Sequence, residues 1–194
     1  DPMFGSPEEF QSFVQALANR GMHLILDGVF NHVSDDSIYF DRYHRYPTVG
    51  AYEYWEAVYD LMNEKGLSEE EARKQVEEKF KQEGQTFSPY GFHLWFNIEN
   101  EKVDGRYKYQ SWWGYDSLPE FKSVIGEKVS YPSELNNDEL ANYIFRESDS
   151  VAKSWIARGA SGWRLDVANE VDPAFWREFR QELLQGSYDR GPTL

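Results

Sequence analysis

Cysteine is absent from the 194 residues, so this chain can build neither a disulfide framework nor a cysteine metal site. Basic residues are scarce as well. Lys and Arg number 20 against 34 Asp and Glu, a formal net charge of −14. With no Lys/Arg cluster to offset that balance, phosphate backbones and anionic lipid are poor partners, and an uncharged one suits the chain better. Nucleic acid and membrane are therefore excluded as expected partners. No apolar run approaches the roughly twenty residues that cross a bilayer. Repeats, low-complexity tracts and a signal peptide are missing, and no methionine precedes Asp1. The opening DPMFGSPEEF and the closing polar run SYDRGPTL both read as cuts in a longer chain.

What is present is apolar and aromatic: 40% of residues are hydrophobic and 17% are Phe, Trp or Tyr. That suffices for one cored domain or a piece of a larger one. GSPEEFQSFVQALANRG predicts a helix, opened by a Ser6/Glu9 capping box with Pro7 at its first position and closed at Gly21. Its apolar stripe is Phe10, Phe13 and Leu17. MHLILD predicts a strand ending at Asp27, apolar on both faces as a covered parallel strand must be. Far downstream the pattern recurs. DELANYIFRESDSVAKSWIARG predicts one helix, with Leu140, Ile144, Val151 and Trp155 on a common face. SGWRLDV predicts a strand ending at Asp166. DPAFWREFRQELLQG predicts a helix capped by Asp172, burying Phe175, Phe179 and Leu183. Helix and strand in alternation mean an α/β fold with parallel strands.

Residues 31–137 separate the two units, far more than an ordinary loop. They contain LSEEEARKQVEEKFKQEG, a solvated helix opened by a Ser68/Glu71 capping box, among stretches rich in aromatics and glycine. The whole reads as a subdomain inserted after a strand.

Two predicted strands end in aspartate, at the edge where parallel α/β sheets bind ligands. Alternation puts Arg164 and Asp166 on one face, and an arginine beside an aspartate favours the ionised carboxylate that a nucleophile requires. A lone strand-end aspartate more often caps a helix or pairs with an arginine, and a lone histidine such as His32 is more often structural. Composition and spacing alone reach an α/β site with paired carboxylates.

DGVFNH and GWRLDVANEV closely resemble two signature segments of the α-amylase family of glycoside hydrolases. With WWGYDSLPEF they look most like its neopullulanase, cyclomaltodextrinase and amylopullulanase branch. The resemblance implies part of a (β/α)8 TIM barrel: residues 1–30 carry a helix and the third strand, and residues 31–137 an inserted domain B. Residues 138–194 carry a helix, the fourth strand and a further helix, truncated. It implies Asp166 as catalytic nucleophile, Arg164 as the arginine orienting it, and Asp27 as the aspartate holding that arginine. It implies sugar contacts from His32, and from Asn169 and Glu170 on the leaving-group side.

Some of Tyr90, Trp95, Trp112 and Trp113 are expected to face the cleft, Trp113 as a substrate contact. Asn31 matches an asparagine that supports a structural Ca²⁺ in many members. The chemistry itself needs no cofactor, and the implied partner is an α-glucan oligo- or polysaccharide. SLPEF departs from the MPKLN common in related enzymes. The family's acid, a Glu ending the fifth strand, and an Asp ending the seventh have no counterpart here. The expected activity, retaining α-glucan hydrolysis, therefore belongs to a longer protein, and the fragment alone should be inactive. Two other readings stand beside it: a non-catalytic glucan-binding protein on the same barrel, and a divalent-metal barrel enzyme using Asp27 and Asp166 as ligands.

Overall fold

A computed structural model of the chain describes Met3, residues 5–121 and residues 138–187. The last part of the expected insertion, 122–137, and the chain end after 187 lie outside the described residues.

Helix α1 spans Pro7–Ala18 and starts as its sequence dictates. The Ser6 side chain accepts from the Glu9 amide, and Glu9 accepts from the Ser6 amide at 2.7 Å. The helix ends at Ala18, before Gly21, and buries no residue fully. Of its stripe, Phe10 packs edge-on against Trp155 at 4.9 Å, while Phe13 is exposed.

Strand β1 follows at Ile25–Val29 and pairs in parallel with β4, Gly162–Asp166. The sequence reading put the end of β1 at Asp27, but the ladder continues through Gly28 and Val29. Gly28 suits this continuation: a Cβ there would lie 2.4 Å from the Phe30 ring and 3.1 Å from Trp163. The expectation of a strand covered on both faces also fails, because Ile25 and Val29 stay exposed. Only two strands form this sheet among the described residues, and the face carrying Ile25 and Val29 is left exposed.

The single helix expected over 138–159 is two pieces. Helix α4, Asp138–Ala141, runs into a π-helical turn, Asn142–Arg146, and α5 occupies Val151–Ala157. Between them Glu147 is extended at ψ 154°. Ser148, Asp149 and Ser150 compete for backbone hydrogen bonds and so favour a break. The Ser154 hydroxyl donates to the Asp149 carbonyl, and the Ser154 amide to Ser150. Helix α6, Pro173–Ser187, closes the described chain, with the Asp172 carboxylate accepting from the Ala174 amide at 2.7 Å. Phe175 and Phe179 pack against Phe145 from the π turn, at 4.9 and 5.6 Å. Full burial of such rings contributes about 1.5–3 kcal/mol each.

Between β1 and α4 the chain builds a helical hairpin and a β-ribbon. Helix α2, Ala51–Lys65, escaped the sequence reading because its aromatics crowd all sides. Tyr52, Tyr54, Val58 and Tyr59 are buried, and Gly66 ends it in the left-handed region at φ 65°. Helix α3, Glu69–Gln82, carries the expected Ser68/Glu71 capping box. It is not simply solvated, since Ala72, Val76 and Phe80, four residues apart, are buried on one face. Strands β2, Ile98–Val103, and β3, Arg106–Tyr109, form an antiparallel hairpin. Its Asp104-Gly105 turn has both φ positive, the geometry that favours Asp-Gly.

Candidate active site

The β1–β4 register sets Asp27 beside Arg164 and Val29 beside Asp166. Residues 27, 164 and 166 therefore emerge on one face of the sheet. Arg164 Nη1 lies 2.9 and 2.8 Å from the two Asp27 carboxylate oxygens and 2.7 Å from Asp166 Oδ1. One guanidinium nitrogen thus bridges two aspartates. The Asp27 hydrogen bond, then the charges of Asp166 and Asp27, push the Arg164 pKa above its already high ordinary value. The trio is open to solvent, with side chains of Arg164, Asp27 and Asp166 59, 60 and 32% exposed.

Beyond β1 the chain turns under the strand ends. Asn31 is fully buried; its carbonyl accepts from the Phe121 amide, and its side-chain atoms find no hydrogen-bond partner among the described residues. His32 forms an isolated antiparallel bridge with Glu120. Its ring stacks on Trp112, with centroids 4.8 Å apart and planes 12° from parallel. Burial pulls the His32 pKa below its ordinary value, while the carboxylates of Asp166 and Glu170 pull partly back. At pH 7 the imidazole is neutral and can exchange hydrogen bonds with a hydroxyl.

Beyond β4 the backbone is strained. Val167, a β-branched residue, sits in the left-handed region at φ 42°, ψ 38°. It turns the chain into a 3-10 turn, Ala168–Glu170. The turn is held from two sides: Trp176 Nε1 donates to the Ala168 carbonyl at 2.7 Å, and Trp112 Nε1 donates to the Glu170 carboxylate. Asn169 stays exposed at its crest. Glu120 lies near the same group. Burial raises its pKa, a hydrogen bond from Gln110 lowers it, and the Glu170 charge raises it again.

The four aromatics expected at the cleft divide. Trp95 is buried, its indole donating to the Tyr90 carbonyl, and Tyr90 packs on Tyr143 at 5.0 Å. These two serve the core. Trp112 reaches the site, and Trp113, 77% exposed at φ 52°, stands beside it with ring centroids 5.4 Å apart. The sequence reading missed Val167, Trp176 and Glu120. Backbone strain leaves no compositional mark, Glu120 acts through partners as distant as His32, and Trp176 reaches back eight residues to a carbonyl, a hydrogen bond that helical periodicity does not reveal.

Asn31 has the right donor type for Ca²⁺, but one carboxamide oxygen falls short of the six to eight oxygens this ion takes. No three His, Cys, Asp or Glu side chains converge among the described residues. No helix among them is long and apolar enough to cross a membrane.

The chain is 39% identical to an amylopullulanase from Thermoanaerobacterium saccharolyticum over 189 residues, covering 94% of this chain and 12% of that protein. It is 29% identical to neopullulanase 2 from Thermoactinomyces vulgaris, covering 93% of this chain and 22% of that one. The chain therefore spans only a small part of the curated relatives it matches. Among solved structures, a Nostoc punctiforme debranching enzyme soaked with acarbose superposes with a TM-score of 0.55 at 26% identity, covering 95% of this chain and 29% of its own. Residues 1–185 match the family model of the alpha amylase catalytic domain, a (β/α)8 barrel, and the chain belongs to that family.

Proposed function

We propose that the chain supplies the nucleophile-bearing part of the catalytic domain of a retaining α-glucan hydrolase. In this reading β1 and β4 are the third and fourth barrel strands, and residues 31–137 are the inserted domain between them. The observation that carries it is the Arg164 guanidinium bridging Asp27 and Asp166 at neighbouring strand ends. A metal-binding role for the two aspartates is disfavoured by that same cation, which occupies the space between them.

Asp166 attacks the anomeric carbon of the sugar in the cleavage subsite, and the glycosidic C–O bond breaks. The leaving oxygen takes a proton from a carboxylic acid elsewhere in the full-length protein. Water then attacks the glycosyl-enzyme, gives its proton back to that carboxylate, and frees Asp166. Arg164 orients the nucleophile, and Asp27 holds Arg164 in place. Neutral His32 is set to hydrogen-bond a hydroxyl of the reacting sugar, while Asn169, Glu170 and Trp113 take the leaving-group side.

The test is reducing-sugar release from starch, pullulan and cyclodextrin by the full-length protein. Asp166→Asn should lose several orders of magnitude in turnover, because the covalent route is gone. The 194-residue chain alone should release none. Near-normal turnover by a folded Asp166→Asn protein overturns the assignment.

A further inference from the structure

We propose that Trp112 is a positioning residue of this site, its ring fixing the plane of His32 while its indole N–H fixes the carboxylate of Glu170. The inference rests on the glucan-hydrolase reading and adds a residue that reading does not use.

Trp112 belongs to a segment 58 positions from Glu170 and 80 from His32, yet it touches both. Its own backbone is anchored. The Trp112 amide donates to the Leu118 carbonyl at 2.9 Å, Ser111 bridges Pro119, and Tyr115 returns an amide to the Trp112 carbonyl at 3.0 Å. The same short ribbon is tied to the strand end, because Val33 donates to Pro119 and Glu120 bridges His32. The indole is therefore a fixed point on the insertion side. One ring face lies nearly parallel to the imidazole at 4.8 Å, and the ring edge meets Glu170.

Each contact does separate work. An imidazole on a flat, half-buried ring cannot tip, so the nitrogen that meets the sugar keeps its direction. A carboxylate that accepts from an indole N–H keeps one orientation, and its other oxygen is left to a hydroxyl of the leaving group or an incoming acceptor. Ring and N–H can be removed separately by substitution.

In the full-length protein, kcat for maltotriose hydrolysis and the ratio of sugar transferred to added glucose over sugar released to water would be measured. Trp112→Phe keeps a stacking ring and removes the donor. It should lower the transfer ratio roughly tenfold, the scale of one charge-assisted hydrogen bond, while kcat falls by a smaller factor. Glu170→Ala should lower the ratio by a similar factor, and Glu170→Gln, which keeps an acceptor oxygen, should restore most of it. The double variant Trp112→Phe/Glu170→Ala should be within about twofold of Glu170→Ala, since coupled residues are non-additive. Trp112→Ala should also lower kcat to the level of His32→Ala.

Additive effects in the double variant, or a ratio unmoved by Trp112→Phe but reduced by Glu170→Ala, overturn the proposal alone. A wild-type protein that cleaves no α-glucan overturns the functional reading, and the role of Trp112 falls with it.

Discussion

Arg164 holds two like charges together. Asp27 and Asp166 face one guanidinium nitrogen, so removing the cation leaves two carboxylates confronting each other across the sheet edge. Arg164→Ala in the full-length protein should lower turnover at least roughly tenfold, the scale of losing a hydrogen bond to a charged group. Arg164→Lys should fall between it and the wild type, because a point charge can meet both carboxylates but holds neither plane. His32→Ala should lose about 1–3 kcal/mol, the range for one hydrogen-bonded group. Turnover numbers with circular dichroism as a folding control check all three. Equal activity of Arg164→Ala and wild type would remove the arginine from the mechanism.

At the level of elements, the α2–α3 hairpin is held by one buried face and one unusual histidine. Phe80 of α3 is buried and packs near Phe87, with centroids 6.3 Å apart. Phe80→Ala should destabilise by about 3–5 kcal/mol through lost transfer energy and the cavity left behind, read by urea unfolding. His93 lies between Tyr54 at 4.5 Å and Phe87 at 5.6 Å. Burial, then the Arg73 charge, push its pKa down to about 4, against an opposing pull from Glu77. The folded state therefore keeps His93 neutral where the unfolded chain, titrating near 6.5, has taken up a proton. Stability from this group is complete above about pH 6.5 and declines as pH falls toward 4, by at most about 3 kcal/mol. Unfolding at pH 7 and pH 4.5 should show wild type losing more than His93→Gln. Equal losses would mean the ring is solvated.

Across the whole molecule the organising fact is uncovered apolar surface on the barrel-like part. An apolar groove of about 480 Å³ runs between β4 and α6, lined by Trp163, Leu165, Trp176, Phe179 and Leu183 among others. Strand β1 exposes Ile25 and Val29, and α1 exposes Phe13. Open strand edges and apolar faces of this kind favour self-association and low stability. The 194-residue chain on its own should melt at a lower temperature than the same residues within the full-length protein and should bind a hydrophobic dye. The helix hairpin and ribbon, whose aromatics interlock, should stay protected longest in hydrogen exchange. Exchange fastest in α2 and slowest in β1 would reverse this order.

Much of the site could be read from the chain because it depends on local rules. The Ser6/Glu9 and Ser68/Glu71 boxes specify their own helix starts, since every partner lies within three residues. Alternation along GWRLD puts Arg164 and Asp166 on one face whatever surrounds them, and a parallel α/β pattern brings that strand beside LILDGV. Tertiary structure decided the rest, because the partners are far apart in sequence. The length of β1 depended on its ladder with β4, and α2 emerged from a burial pattern that aromatic richness had masked. The break between α4 and α5 is the exception: it is local, set by Ser148, Asp149 and Ser150 competing for backbone bonds, which periodicity overlooks. The division of the tryptophans came last: Trp95 went to the core and Trp112 to Glu170 and His32, though all share similar aromatic surroundings in sequence. Which ring meets a carboxylate is set by packing across tens of residues, and no local pattern encodes it.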